Sequence, residues 1–296
     1  MTPQMVEERA TGDWTIRRVI AWATQDFRAR GIESARLDAE LLLAYALDTD
    51  RIRVILDSER RLLAGELAVY RELIKRRRSG EPIAYLLGRR EFFGLPFRVD
   101  RRVLIPRPDT EALVEVALDR TRARSLFGRA LDLCTGSGCV AIAFATRRPT
   151  WRVTGTDVSP EAVELARENA LRLGAIWGVR FASGDGFAAV AAGERFELVT
   201  ANPPYVPRAE LELLEATIRD FEPRLALDGG SDGLSLIRRI VSETTARLVP
   251  GGVLALEVGA GQADGVARLL GDAGYLEVER RRDYGGHERV VSGRKS

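Results

Sequence analysis

The chain has 296 residues, enough for two domains, and its 45% hydrophobic and 30% charged content is that of a soluble globular protein. No uninterrupted apolar run approaches the ~20 residues a bilayer span needs, and a net charge of +2 argues against strong general attraction to nucleic acid. The only cysteines, Cys134 and Cys139, are too few for a disulfide framework or a zinc site and read as small core thiols. The polar, acid-bearing stretch from Met1 to Ala10 resembles neither a signal nor a transit peptide, so the expected location is the cytoplasm.

Residues 1–90 read as an all-helical domain. Asp13 is a candidate cap for a helix carrying Ile16, Val19, Ile20, Ala23 and Phe27 at three-to-four spacing and ended by Gly31. Ser34 opens a second helix through Leu37, Leu41, Leu42 and Tyr45. After a turn around Ile52 to Leu56, a longer helix through Leu62, Leu67, Tyr70, Leu73 and Ile74 is stopped by Gly80 and Pro82. The basic run Arg71, Lys75, Arg76, Arg77 and Arg78 reads as a solvated helix end whose cations complement the dipole. Nothing in this bundle looks catalytic.

Residues 91–106 form a hairpin or extended connector, because Glu91 to Val99 mixes aromatic and turn-forming residues and breaks the helical period. From residue 107 to 296 a second domain follows, opening with a helix through Leu113, Val114, Val116 and Leu118 that Asp109 or Thr110 can cap. Beyond Arg129 strand and helix alternate, which predicts a parallel sheet covered on both faces. The strands are Ala130 to Cys134, Trp151 to Thr156, Val179 to Ser183, a fourth ending at Thr200, and Val253 to Val258. The intervening helices include Ala162 to Leu173, Asp232 to Leu248 and Ala263 to Ala273. Tyr275 to Arg280 and Arg289 to Ser292 are close enough for an antiparallel pair.

In open α/β sheets ligands bind outside the carboxyl ends of the strands. Gly136, Asp157, Asp185 and Asn202 all fall on that edge, at the ends of strands one to four. Gly136 and Gly138 let the backbone approach a ligand, and Asp157 can accept both hydroxyls of a ribose. Asp132 can orient the glycine turn or meet a charged ligand amine. Asp185, Gly186 and Phe187 can frame an adenine, with a carboxylate for its amino group. Asn202-Pro203-Pro204-Tyr205 stops its strand, since proline has no N–H to continue the ladder. It leaves the Asn202 amide oxygen and the Pro203 carbonyl as acceptors for a planar NH₂ group, with Tyr205 on its flat face.

Gly136-Ser137-Gly138-Cys139-Val140-Ala141, with Asp157 about twenty residues on, also satisfies the dinucleotide fingerprint. The terminal antiparallel pair argues against a dehydrogenase, as does the lack of a hydride-handling His or Lys beside the Asn-Pro-Pro-Tyr set. The single histidine, His287, reads as a surface turn residue, and no metal cluster is visible.

Leu131-Asp132-Leu133-Cys134-Thr135-Gly136-Ser137-Gly138, Thr156-Asp157-Val158-Ser159-Pro160 and Asn202-Pro203-Pro204-Tyr205 together resemble the successive motifs of class I S-adenosylmethionine-dependent methyltransferases. Gly80 to Gly88, Glu91 to Gly94 and Ile105-Pro106-Arg107-Pro108-Asp109-Thr110-Glu111 are similar to the peptide chain release factor glutamine methyltransferases (PrmC/HemK). The resemblance covers nearly the whole chain. It implies a Rossmann-like seven-stranded methyltransferase domain, preceded by a helical domain that recognises the substrate. The implied reaction is methylation of the glutamine amide in the Gly-Gly-Gln motif of class 1 release factors, with S-adenosyl-L-homocysteine as product, by a monomer that contacts neither nucleic acid nor membrane.

The cofactor contacts this implies are Asp132, Thr135, Gly136, Ser137, Gly138, Cys139, Asp157, Asp185, Gly186, Phe187 and Asn202. The substrate contacts are Asn202, Pro203, Pro204 and Tyr205, of which Asn202, Pro203 and Tyr205 are catalytic. Gly186 stands where some relatives carry a bulky aromatic. A sister branch acts on a ribosomal protein glutamine, but Arg107 to Glu111 resembles the release factor branch. A DNA adenine methyltransferase would share the tetrapeptide and want a basic groove and a target-recognition insert, which are not evident. A binding module without catalysis would have no use for Asn202 and Tyr205 beside the methyl.

Overall fold

The structure, a computed structural model, describes residues 14–296, and the chain divides into two compact units after Gly88. The first unit is helical, with α1 (Ile16–Ala29), α2 (Ala35–Ala46), α3 (Arg51–Leu56), α4 (Ala64–Arg78) and α5 (Ile83–Leu87). Asp13 lies outside the described residues; the cap observed on α1 is Thr15, whose side chain accepts from the Arg18 amide.

Helix α2 is packed by α1, α3, α4 and α5, and this sets its buried stripe as Ala35, Asp38, Ala39, Leu42 and Leu43. Leu37 and Tyr45, expected on the core side, face solvent instead. Two carboxylates therefore go inside. Asp38 accepts from Arg77 Nε and Ser34 Oγ, each at 2.8 Å, and Glu40 from Arg36 at 2.8 Å and Arg51 at 2.7 Å. The basic end of α4 is thus not simply a solvated helix end. Arg77 is buried on Asp38, Arg76 forks onto Glu81 and Arg78 onto Asp26, so internal carboxylates consume these charges.

The second unit opens with an antiparallel hairpin, β1 (Arg89–Phe92) and β2 (Leu95–Arg98), followed by α6 (Glu111–Arg120). Phe92 and Phe97 are buried and join the core cluster of α6 and α7 residues, so the hairpin is part of this unit's core. The unit continues through β3 (Arg129–Leu133), α7 (Cys139–Arg147), β4 (Arg152–Asp157), α8 (Pro160–Arg172), β5 (Val179–Ser183) and β6 (Phe196–Ala201). It ends with α9 (Ala216–Arg219), α10 (Ser235–Arg247), β7 (Leu248–Glu257), α11 (Ala263–Asp272), β8 (Tyr275–Arg282) and β9 (Glu288–Lys295).

One seven-stranded sheet runs in the order β5-β4-β3-β6-β7-β9-β8. Strands β3 to β7 are parallel, and β9 pairs antiparallel with both β7 and β8, as expected for the terminal hairpin. Apolar clusters cover the sheet on both sides, one around α6, α7 and α8 and one around α10 and α11. Strand β7 begins five residues before the expected Val253, because Pro250-Gly251-Gly252 is absorbed as an irregularity in its pairing with β6. Helix α10 begins at Ser235 and not Asp232, since Gly233 takes a φ of 76° and Asp232 caps the Leu234 amide instead. No helix among the described residues is long and apolar enough to cross a membrane.

Candidate active site

The chain order reverses between β3 and β6, and the crevice above that switch point is where this architecture binds ligands. A cavity of about 480 Å³ opens there, within the roughly 300–1,000 Å³ typical of small-molecule sites. Asp132, Thr135, Gly136, Ser137, Cys139, Asp157, Asp185, Gly186, Asn202 and Pro204 line it, which brings together residues from the ends of β3, β4, β5 and β6.

The turn after β3 is built around Asp132. This carboxylate is buried, its Oδ2 accepting from the Thr135 hydroxyl at 2.6 Å and Oδ1 from the Thr200 hydroxyl at 2.7 Å. Burial pushes it up to about 6 despite both bonds. These bonds let it orient the turn, and it also lines the cavity. The backbone then passes through the left-handed region at Cys134 (φ 56°) and Gly136 (φ 53°). A Cβ on Gly136 would meet nothing within 4 Å, which leaves that position open. Gly138 behaves differently. It does not line the cavity; a Cβ there would meet the Phe181 ring at 2.9 Å and its φ is 80°, so packing of α7 onto β5 and the left-handed backbone both call for glycine. Burial lifts the Cys134 and Cys139 thiols, the latter to about 12, consistent with inert neutral side chains.

Asp157 ends β4. Its Oδ2 accepts the Gly136 amide at 2.9 Å and Oδ1 the Ser159 amide at 3.0 Å, while Ser159 Oγ caps α8 through the Ala162 amide. Burial raises this carboxyl against those donors. Asp185 is exposed and forked onto Arg239 of α10, whose guanidinium holds it below the usual carboxylate range. Its oxygens are thus engaged by a cation at the cavity wall. Phe187 is buried against the core under the Arg247 guanidinium and does not line the cavity. The one-turn helix that follows Asp185 turns the ring inward.

At the end of β6, Asn202 Nδ2 donates to the Thr110 hydroxyl at 3.2 Å, which leaves Oδ1 to accept from a ligand. Pro203 is buried, and neither it nor Tyr205 lines the cavity. The Tyr205 hydroxyl donates to Glu257 Oε1 at 3.4 Å and its carbonyl accepts from Gln262 Nε2 at 2.9 Å, so the residue is tied to the end of β7. Its hydroxyl end is thus held at β7, while the residue as a whole stays partly exposed.

Glu257, Thr110, Arg107 and Arg239 were not among the expected site residues. Glu257 had a signal, since an acid closing the apolar run Val253-Leu254-Ala255-Leu256 repeats the pattern of Asp157. The others belong to contacts between distant segments. Arg107 lines the cavity and pairs with the buried Glu222, which also accepts the Ile105 amide at 3.1 Å, so the segment before α6 is clasped to the loop after β6. His287 is exposed in the β8–β9 turn, as expected for a surface residue.

A seven-stranded sheet of this order, with a glycine turn, a strand-end aspartate and an Asn-Pro-Pro-Tyr tip around one crevice, defines a class I methyltransferase. A methyltransferase of Pyrococcus furiosus shares the fold, with a TM-score of 0.51 and 21% identity over 69% of this chain and 91% of that one. Residues 18–88 match the PrmC N-terminal domain and residues 109–231 the methyltransferase small domain. The release factor glutamine methyltransferase of Geobacter sulfurreducens is 43% identical over 95% of this chain and 97% of its own, and that of Rhodopirellula baltica 38% identical over 99% and 100%. The chain belongs to the release factor glutamine methyltransferase family.

Proposed function

We propose that this enzyme methylates the side-chain amide nitrogen of the Gly-Gly-Gln glutamine in class 1 release factors, using S-adenosylmethionine. The observation that carries this reading is the Asn202–Thr110 hydrogen bond, which leaves an amide oxygen as acceptor at the rim of the cofactor cavity. The cavity also fits the cofactor's chemistry. Asp157 offers a carboxylate to hydroxyl groups, Gly136 is open to close approach, and Ser137 Oγ is buried without a hydrogen-bond partner on the cavity wall.

When bound, S-adenosylmethionine supplies an electrophilic sulfonium methyl. A glutamine amide nitrogen is a poor nucleophile, because its lone pair is delocalised into the carbonyl. Asn202 Oδ1 accepts one amide hydrogen, and the sequence assigns the second to the Pro203 carbonyl, which holds the NH₂ so that its lone pair turns toward the methyl. Positioning of this kind supplies several kcal/mol, up to roughly 7–11 in ideal cases. Methyl transfer to the amide nitrogen would break the cofactor's S–C bond as the N–C bond forms, and the substrate nitrogen would then lose its proton to water. No strong base is required before transfer. The helical unit, which has no chemistry of its own, is the part assigned to docking the release factor.

Mass spectrometry of purified release factor after incubation with the enzyme and S-adenosylmethionine tests the reading. The expected result is one added methyl on the Gly-Gly-Gln glutamine. Methylation of duplex DNA instead, or an unmodified release factor, would overturn it.

A further inference from the structure

We propose that Arg239 is a cofactor-binding residue whose guanidinium forms one flat face of the adenine subsite; this rests on the reading of the cavity as the S-adenosylmethionine site. The order of the strands places the base. They run β5-β4-β3-β6, with Asp157 at the end of β4 and Asn202 just past the end of β6. In the proposed function the methyl sits on a sulfur beside Asn202, and the ribose joined to that sulfur meets Asp157. The base leaves the opposite side of the ribose, so it extends away from β6 and toward the end of β5. The cavity wall there is Gly184, Asp185, Gly186 and, from α10, Arg239.

Glycine at position 186 leaves this stretch of wall without a side chain of its own. Its φ is 57°, and a Cβ there would come within 3.4 Å of Arg239 Nη2 and 3.7 Å of Glu243 Oε2. The guanidinium therefore occupies the space that a side chain at 186 would take. Helix α10 turns Leu236, Arg239 and Ile240 toward the cavity, which is the three-and-four spacing of one helix face. Two apolar side chains thus flank the charged one along the wall.

The guanidinium is held at two points of its edge. Nη1 donates to Asp185 Oδ2 at 2.9 Å and Nη2 to Oδ1, while Glu243 Oε1 stands 3.9 Å from Nε. Two parallel N–H bonds to one carboxylate hold the two planar groups in register. What the fork leaves for a ligand is the flat face, and a guanidinium face stacks on aromatic rings. Asp185 gives one lone pair of each oxygen to the fork and keeps the others for the adenine amino group. The pair then acts as a unit, with the carboxylate on the edge of the base and the guanidinium on its face.

Titration calorimetry with S-adenosylhomocysteine on wild type, Arg239→Ala, Arg239→Lys and Arg239→Tyr tests this, with thermal unfolding of each ligand-free protein as the control for folding. Lysine keeps a charge for Asp185 and loses the plane; tyrosine keeps a plane and loses the charge. Arg239→Ala and Arg239→Lys should each bind about five- to thirtyfold more weakly, and Arg239→Tyr should stay within about threefold of wild type. Methylthioadenosine, which carries the base and ribose without the amino-acid tail, should show the same ratios when it displaces S-adenosylhomocysteine. A loss confined to S-adenosylhomocysteine would put Arg239 on the tail's carboxylate and overturn the assignment. Wild-type affinity in Arg239→Lys with a weakened Arg239→Tyr would reduce Arg239 to a counterion for Asp185 and overturn it as well. If wild type binds and Arg239→Ala binds within about twofold of it, this inference alone fails; if wild type does not bind S-adenosylhomocysteine, the reading of the cavity fails.

Discussion

The Asp157 carboxylate at the end of β4 holds the Gly136 amide at 2.9 Å, so the tip of one strand fixes the glycine turn that leaves its neighbour. The same carboxylate holds the first turn of the next segment through Ser159. In the proposed function the carboxylate's remaining lone pairs meet the ribose, which would couple cofactor affinity to loop geometry at one side chain.

Asp157→Ala is expected to weaken binding of S-adenosylhomocysteine by about 1.5–3 kcal/mol, or roughly 10- to 150-fold, the range for a hydrogen bond to a charged group. Titration calorimetry measures it. Unchanged affinity would remove Asp157 from the cofactor site.

Asn202→Ala deletes the acceptor at the tip of β6 and leaves the cavity wall otherwise intact. Cofactor affinity should change little, and kcat should fall by ~10²–10³, the cost of one oriented polar contact in such a site. A kcat within about threefold of wild type, with saturating release factor, would reduce the tetrapeptide to a proline turn.

Arg77→Ala leaves Asp38 buried without its cation. Breaking one side of a buried pair costs about 3–5 kcal/mol, so thermal unfolding of the helical unit should shift clearly downward. Replacing both partners, as in Asp38→Leu with Arg77→Met, should recover most of that loss. Equal stability of wild type and Arg77→Ala would return the end of α4 to a solvated role.

Removing residues 1–88 should leave a second unit that binds S-adenosylhomocysteine with unchanged affinity and loses most release factor methylation. Removing residues 1–101 also strips Phe92 and Phe97 from the core. Each buried aromatic carries about 3–5 kcal/mol, so the shorter chain should unfold at a markedly lower temperature or fail to fold. Equal stability of the two truncations would show that the hairpin is only a linker, and full methylation by the longer one would remove the docking role of the bundle.

Local chemistry determined the elements of this protein and the edge on which its site lies. Alternation of apolar runs with capped helices announces a parallel sheet, and Gly136, Asp157 and Asn202 end successive strands, so topology alone gathers them at one crevice. Partnership was not legible in the same way, because it depends on which strands adjoin and how far each loop reaches. Asp185 meets Arg239 only because α10 crosses beside the end of β5, and Phe187 turns inward because it sits in a one-turn helix that follows Asp185. Leu37 is exposed because four helices pack around α2 and select a different stripe. Gly138 resembles a ligand-facing glycine in the motif, yet the Phe181 ring requires its missing Cβ. Thr110 and Asn202 are remote in the chain and meet only once the segment before α6 lies beside the end of β6.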